Sequence, residues 1–188
     1  RMAFGHAVVC VDPQHQSGDD KRVKLGLVGG PSGRIDGPWS DNAPGAISDS
    51  SPEWIGRLGA QSSAGGGRAL IYVHGYNNSF EQALLRAARL KHDLGFAGPV
   101  IAFSWPSAGS STAFLTDISN AHFGEAHLRK LLSLLPAESK SVAIIAHSLG
   151  NQVVSTMLAE ASTKVDPRSG LGRISEVIMA APAVDSDY

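Results

Sequence analysis

The stretch that decides the fold is SVAIIAHSLGNQVV, residues 141–154. It opens with a continuous run of apolar, largely β-branched residues from Val142 to Ala146, which is typical of a strand buried on both faces of a sheet. An amphipathic segment follows without an intervening turn sequence, and Ser148 lies at the junction. The pattern predicts a strand, a sharp turn at Ser148 and a helix, so the first question is whether this serine is reactive.

Small residues flank Ser148 two positions before it, at Ala146, and two positions after it, at Gly150. A nucleophile elbow requires small residues there because the turn brings the backbones of the strand and the helix close together. Such a turn lifts the hydroxyl above the sheet and sets it at a helix N-terminus, where free N–H groups favour developing negative charge. Alternatively, Ser148 is an ordinary helix N-cap without chemistry, since serine is favoured at that position.

Three further apolar runs have the same character, at residues 69–73, 100–103 and 177–181. The helical patterns that separate the runs cover residues 80–94, 112–135 and 149–161, and the first of them opens with a capping box from Ser79 to Gln82. Strands that alternate with helices in this way predict βαβ units, with a mostly parallel sheet and helices on both of its faces. We interpret residues 68–188 as this βαβ core.

The first 67 residues have a different pattern, without long apolar periodicity. Their composition predicts, in order, a strand at 3–11, a strand at 23–28, a long loop at 29–49, a short helix at 51–58 and a flexible spacer at 62–67. The two strands are expected to pair as an antiparallel hairpin. We assign residues 1–67 to the same domain as the core, because a chain of 188 residues fits one domain.

Composition excludes several classes of protein. A net charge of −1 with both signs interspersed argues against a nucleic-acid partner, and no apolar run approaches the roughly 18 residues of a membrane span. The single cysteine, Cys10, excludes an internal disulfide, and no spacing of cysteine and histidine suits zinc. We therefore expect no cofactor, no metal, no nucleic acid and no membrane span.

A second candidate element, Val73-His74-Gly75-Tyr76-Asn77, ends the predicted strand at 69–73. In a fold with a nucleophile elbow, the loop after this strand donates one backbone N–H group to the oxyanion hole, and the residue after the nucleophile donates the other. Tyr76 and Leu149 are therefore the predicted donors. The alternative is that Gly75 marks an ordinary turn at the end of a strand.

Two aromatic residues at strand ends, His74 and Trp105, are predicted to bind the substrate, because ligands of α/β sheets lie at that edge. Each has an alternative role. His74 could instead hold the oxyanion loop in place, an interpretation that we favour over a catalytic base. Trp105 could line an acyl pocket or simply cover the edge of the core.

Four motifs together resemble a bacterial α/β-hydrolase family that is described as a domain of unknown function. They are His-Gly-Tyr-Asn at 74–77, Phe-Ser-Trp-Pro at 103–106, Ala-His-Ser-Leu-Gly-Asn at 146–151 and Ala-Ala-Pro-x-Val-Asp at 180–185. The resemblance implies an α/β-hydrolase fold and an esterase- or lipase-like activity in a bacterial protein. We expect a soluble protein, and the sequence does not distinguish the cytoplasm from the cell envelope. One departure is Ala183, which stands where such proteins commonly carry the first aspartate of an Asp-x-Asp pair.

The groups that would activate Ser148 are incomplete in this sequence. In the α/β-hydrolase fold the chain order is serine, acid, histidine, yet none of the seven histidines follows Ser148. Asp185 is the candidate acid, with the capping of a following helix as its alternative role. We expect that residue 188 is not the natural end, and that the last strands of the sheet and the base lie in a further segment or in a second chain.

The sequence as a whole predicts a serine hydrolase that cleaves a small-molecule carboxylic ester through an acyl-enzyme on Ser148. Alternatives are an amidase or thioesterase that uses the same elbow, or a hydrolase-like binding or scaffold protein that has lost its base. Without that base, residues 1–188 alone should show little turnover.

Overall fold

The structure, a computed structural model, describes residues 2–11, 16, 23–25, 46–49, 51–106, 114–163 and 169–182. Within these ranges the strands are β1 (Phe4–Ala7), β2 (Val9–Val11), β3 (Val23–Leu25), β4 (Ala46–Asp49), β5 (Arg68–Val73), β6 (Val100–Phe103), β7 (Ser141–His147) and β8 (Ile174–Ala180). The α-helices are α1 (Ser51–Ala64), α2 (Phe80–Asp93), α3 (Phe114–Leu134) and α4 (Gly150–Thr163). None of the helices in the described part of the chain is both long enough and apolar enough to cross a membrane.

The predicted parallel sheet is confirmed. Its four strands have the order β6-β5-β7-β8, and all of the pairs are parallel. Val73, the last residue of β5, pairs with Ala146 of β7 and with Phe103 of β6. The carboxyl ends of the strands therefore meet at one edge of the sheet, which is where the loop after β5 and the turn after β7 both begin.

Helices cover both faces of the sheet, as predicted. On one face the side chains of α1, α3 and α4 pack with those of the sheet in a large apolar cluster, which includes Trp54, Leu128 and Val153. On the other face a smaller cluster joins Ala87 of α2 to apolar side chains of β5 and β7. The predicted capping box begins α2, since Ser79 Oγ accepts the Gln82 backbone N–H group and Gln82 Oε1 accepts that of Ser79.

The N-terminal hairpin is confirmed in part. β2 and β3 pair antiparallel, with Val9 opposite Leu25. The single strand predicted at 3–11 is two strands, however, and β1 pairs antiparallel with β4, whose residues 46–49 lie in the predicted long loop. That loop prediction is wrong at its end, because four strand residues cannot be distinguished within a segment dominated by Gly, Pro and Ser.

Helix α1 continues six residues beyond its predicted end at 58 and includes the first part of the predicted spacer. Ser62 is fully buried in it, and its Oγ lies 2.8 Å from Ser139 Oγ. The helix ends at three glycines, where Gly66 and Gly67 have φ values of 73° and 80°, and the Gly67 N–H group donates to Ser62 O. Ser62 is therefore held within the helix by a buried hydrogen bond, and only the glycines of the predicted spacer end the helix.

Candidate active site

Ser148 lies at the junction of β7 and α4 in a strained backbone conformation. Its φ is 50°, in the left-handed region that residues other than glycine rarely adopt. Its backbone N–H group donates to Ala180 O at the end of β8, at 3.0 Å. Strain of this kind persists only where the surrounding structure holds it, and it is concentrated at functional sites. The turn has the sharp geometry that the sequence predicts for a nucleophile elbow.

Two glycines allow the turn after β7 to lie directly against the loop after β5. A Cβ atom on Gly150 would lie 2.5 Å from His74 O and 2.7 Å from Val73 O. Conversely, a Cβ atom on Gly75 would lie 2.7 Å from both His147 O and Ser148 Cβ. All four distances are far below normal contact, so neither glycine position has room for a side chain. This packing fixes the position of Ser148 relative to the loop that carries Tyr76.

His74 is fully buried and its ring atoms are hydrogen-bonded within the protein. Its Nε2 accepts the Trp105 backbone N–H group at 3.2 Å and lies 3.3 Å from Ser104 Oγ. Because Nε2 is the acceptor, the ring proton of the neutral imidazole is on Nδ1, which donates to Gly75 O at 2.9 Å. The imidazole therefore holds the start of the β5 loop against the end of β6.

Trp105 is the partner of His74 in this arrangement. The two rings stack with centroids 5.1 Å apart and planes 4° from parallel, and Trp105 Nε1 donates to His74 O at 2.8 Å. Trp105 is only 2% exposed and His74 is 0% exposed. Each side chain is buried and satisfies polar atoms of the other residue, and Trp105 also lines a groove along β6, so a contact of either residue with the substrate stays a prediction. The geometry supports their alternative roles, which are to hold the loop and to cover the core edge.

The loop that carries Tyr76 is shaped by its asparagines. Asn77 has a φ of 54°, and Asn78 Nδ2 donates to Tyr76 O at 2.8 Å and to Gly75 O at 3.2 Å. On the other side of the site, no acceptor is found for the Leu149 backbone N–H group among the described residues. That N–H group precedes the first turn of α4, where the helix dipole also favours negative charge.

The described residues do not complete a catalytic triad around Ser148. Among them, no histidine is hydrogen-bonded to Ser148 Oγ, and Asp185 lies outside the described residues. The side chain of His147 packs beneath the β5 loop, with its Nδ1 3.0 Å from the position of a Cβ atom on Gly75. No group of metal-ligating side chains that could hold an ion is present in the described ranges either.

His147 belongs to a polar cluster on the α2 face of the sheet, together with Tyr72 and Arg86. Among the described residues, neither His147 Nδ1 nor Tyr72 Oη, both buried, has a hydrogen-bond partner. Burial lowers the pKa of His147 below its ordinary 6.5, and the positive charge of Arg86 lowers it further. Burial raises the pKa of Tyr72, although Arg86 lies near enough to oppose that shift without forming a well-directed hydrogen bond. Both side chains are therefore neutral near pH 7.

The lowered pKa of His147 predicts a loss of stability in mild acid. The unfolded chain binds a proton at this residue near pH 6.5, more readily than the folded chain, so the free energy of unfolding should fall as the pH decreases below 6.5. The loss should level off below the folded pKa. Urea denaturation between pH 8 and pH 5 measures it, and His147→Gln should show a weaker dependence. An equally steep dependence in the variant would contradict this assignment.

A groove of about 1280 Å³ lies elsewhere, along the edge strand β6. Apolar side chains of α1, α2 and β6 contribute much of its lining, including Trp54, Leu84 and Phe103. Ser148, Leu149 and Tyr76 are not among the described residues that line it. Its lining does include Ser104 and Trp105, which contact His74.

One buried residue at the elbow, Asn151, received no role from the sequence. It is 0% exposed, and its Nδ2 donates to Ser148 O at 2.8 Å and to Ala180 O at 3.2 Å. The signal that could have found it is a polar side chain in the first turn of α4, on the side that faces the apolar core.

Comparisons with known proteins agree with this geometry. Residues 49–188 match the sequence model of a family described as alpha/beta hydrolase of unknown function (DUF900). The match includes the whole parallel sheet, the loop after β5 and the turn at Ser148. Searches of the curated proteins and of the solved structures give no match.

Proposed function

Since the chain belongs to the alpha/beta hydrolase family whose model its residues 49–188 match, we propose that it is a serine hydrolase that cleaves a carboxylic ester through an acyl-enzyme on Ser148. The observation that carries the proposal is the strained backbone of Ser148, with φ at 50°, between a buried strand and a helix. A serine that served only as an N-cap would have extended backbone dihedrals and would not require this strain.

In the proposed reaction, Ser148 Oγ attacks the ester carbonyl carbon while a base takes the hydroxyl proton. The carbonyl oxygen becomes an oxyanion, which accepts hydrogen bonds from the backbone N–H groups of Leu149 and Tyr76. Collapse of this intermediate breaks the bond to the alcohol, which leaves with the proton from the base. Water, activated by the same base, then releases the acid from Ser148 by the reverse sequence of steps.

The positions of the two N–H groups support their role in binding the oxyanion. They come from the turn after β7 and from the loop after β5, and the Gly75 and Gly150 contacts hold these segments together. One donor of this kind typically contributes about 3 to 4 kcal/mol to the stabilisation of the transition state. Donors on two backbones that cannot separate are preorganised for that purpose.

Two groups in this proposal come from outside the described residues. Asp185 would orient the base, and the base itself would be a histidine that the described residues do not supply.

A serine-directed fluorophosphonate probe tests the proposal on the full-length natural protein. Wild type should be labelled near neutral pH and Ser148→Ala should not, while Ser133→Ala, a change at an exposed serine of α3, should be labelled like wild type. Turnover of p-nitrophenyl acetate should fall by at least about 10³-fold in Ser148→Ala. Matched amide and thioester substrates separate the amidase and thioesterase alternatives.

The competing function is a binding or scaffold protein on the same fold. The observation that favours it is that no histidine is hydrogen-bonded to Ser148 Oγ within the described residues. Absence of labelling at any pH between 6 and 9, in a protein that is folded, would exclude the esterase proposal and leave this one.

A further inference from the structure

The side chain of Asn151 connects the elbow to the neighbouring strand β8. Asn151 Nδ2 donates to Ser148 O at 2.8 Å and to Ala180 O at 3.2 Å, and the Ser148 N–H group donates to the same Ala180 O at 3.0 Å. The last carbonyl of β8 is therefore bound both by the backbone and by a buried side chain of the elbow.

The orientation of the Asn151 amide follows from its surroundings. Both neighbouring groups are carbonyl oxygens, which only accept hydrogen bonds, so the nitrogen of the amide must face them. The other end of the amide, Oδ1, is buried without a hydrogen-bond partner in the described part of the chain. A buried amide with one unsatisfied end destabilises the fold by itself, so its two donated bonds must serve a purpose at this position.

That purpose is indicated by two strained residues that lie next to Ala180 O, the carbonyl oxygen that both Ser148 and Asn151 contact. Ser148 has a φ of 50°, and Ala181, directly after Ala180, has a φ of 43°. Ala181 begins the segment that leads towards Asp185. The Ala180 carbonyl group and the Asn151 side chain thus lie at two of the positive-φ positions near the site.

We propose that Asn151 is a positioning residue that holds the Ser148 elbow and the end of β8 in one fixed arrangement, so that the nucleophile and the segment leading to Asp185 keep their relative positions. This inference rests on the proposed function. Asn151 does not touch the substrate in this account, so its loss should lower kcat and leave KM nearly unchanged.

The isosteric change Asn151→Asp provides the sharpest test. A carboxylate in this position would set negatively charged oxygens against two carbonyl oxygens, whereas a protonated carboxyl group could donate one of the two original hydrogen bonds. Burial and the two carbonyls should both raise the pKa of the new carboxyl group. The variant should therefore regain function as the pH decreases.

The experiment measures the rate of fluorophosphonate labelling of the full-length protein between pH 5 and pH 8. Each rate is divided by the wild-type rate at the same pH, which removes the effects of other titrating groups such as His147. Asn151→Asp should be at least 10-fold slower than wild type at pH 8, and the deficit should shrink towards pH 5. Asn151→Leu should show a deficit that does not depend on pH, and Gln152→Glu, a neighbouring change outside the connection, should label like wild type.

A labelling rate of Asn151→Asp equal to that of wild type at pH 8, or a deficit that is constant with pH, would overturn the inference. Thermal unfolding of the same variants separates this failure from failure of the proposed function. If wild type is not labelled at all, the proposed function fails, yet a Tm of Asn151→Asp that approaches that of wild type as the pH falls still supports the connection. A Tm difference that stays constant with pH would overturn it in that case too.

Discussion

Replacement of Gly150 by alanine is expected to destabilise the folded chain by about 3 kcal/mol, the upper end of the usual cost of overpacking. The new Cβ atom would lie 2.5 Å from His74 O, 2.7 Å from Val73 O and 3.2 Å from His74 C. These are backbone atoms at the end of β5, a strand that is hydrogen-bonded on both sides and cannot move away. The elbow must move instead, so labelling of Ser148 should also be lost.

Gly56→Ala is the matched control for this change. Gly56 lies in helix α1, and no atom lies within 4 Å of the position that its Cβ atom would occupy. Alanine is favoured over glycine within a helix, so this variant should be more stable than wild type by up to about 1 kcal/mol. Urea denaturation measures both variants. If Gly150→Ala and Gly56→Ala shift the urea midpoint in the same direction, the result would contradict the close approach of the Ser148 turn to the end of β5.

The central strands of the parallel sheet, β5 and β7, could be predicted from the sequence because they are largely buried on both faces. Residues 100–103 were predicted without error, and the strands at β5 and β7 were each found to within a residue or so of their ends. β8 begins three residues before its predicted start, since Ser175 and Glu176 interrupt the apolar run. None of the β8 residues is buried in this structure, so polar side chains are tolerated there and the apolar signal of the strand is weaker.

Long-range pairing and buried polar contacts could not be predicted in the same way. Nothing in residues 46–49 indicates that they pair with β1, because the partner lies about 40 residues away and the register depends on the fold. The C-terminal end of α1 could not be predicted for the same reason, because Ser62 is held by Ser139, 77 residues later. In both cases a tertiary contact overrides the local preference of the residues.

The candidate site likewise has features that could be predicted from the local sequence and features that could not. Ala146, Ser148 and Gly150 carry steric requirements that are local, and the structure has the corresponding turn. Position alone, however, places His74 at a strand end without giving the direction of its side chain. The stacked rings and the hydrogen bonds with Trp105 decide that direction, and they involve a residue 31 positions away.

The second large effect is expected at His74. His74→Phe keeps an aromatic ring for stacking on Trp105 but removes both ring nitrogens. The Trp105 N–H group then loses its acceptor in the interior, and Gly75 O keeps only the longer hydrogen bond from Asn78 Nδ2. Each unsatisfied buried group costs about 1 to 3 kcal/mol, and we expect a total loss of about 3 kcal/mol in the free energy of unfolding.

The matched control is His127→Gln, because His127 also bonds a backbone carbonyl, that of Phe123, but is exposed to solvent. This change should alter the stability by less than about 0.5 kcal/mol. Urea denaturation and fluorophosphonate labelling of the same samples then separate the two roles of His74. A residue that holds the loop must lower stability and labelling together when it is replaced, whereas a catalytic base would abolish labelling and leave the unfolding midpoint unchanged. The buried, fully bonded imidazole favours the first outcome, because a ring that is committed to Gly75 O and the Trp105 N–H group has no nitrogen left to take a proton from Ser148.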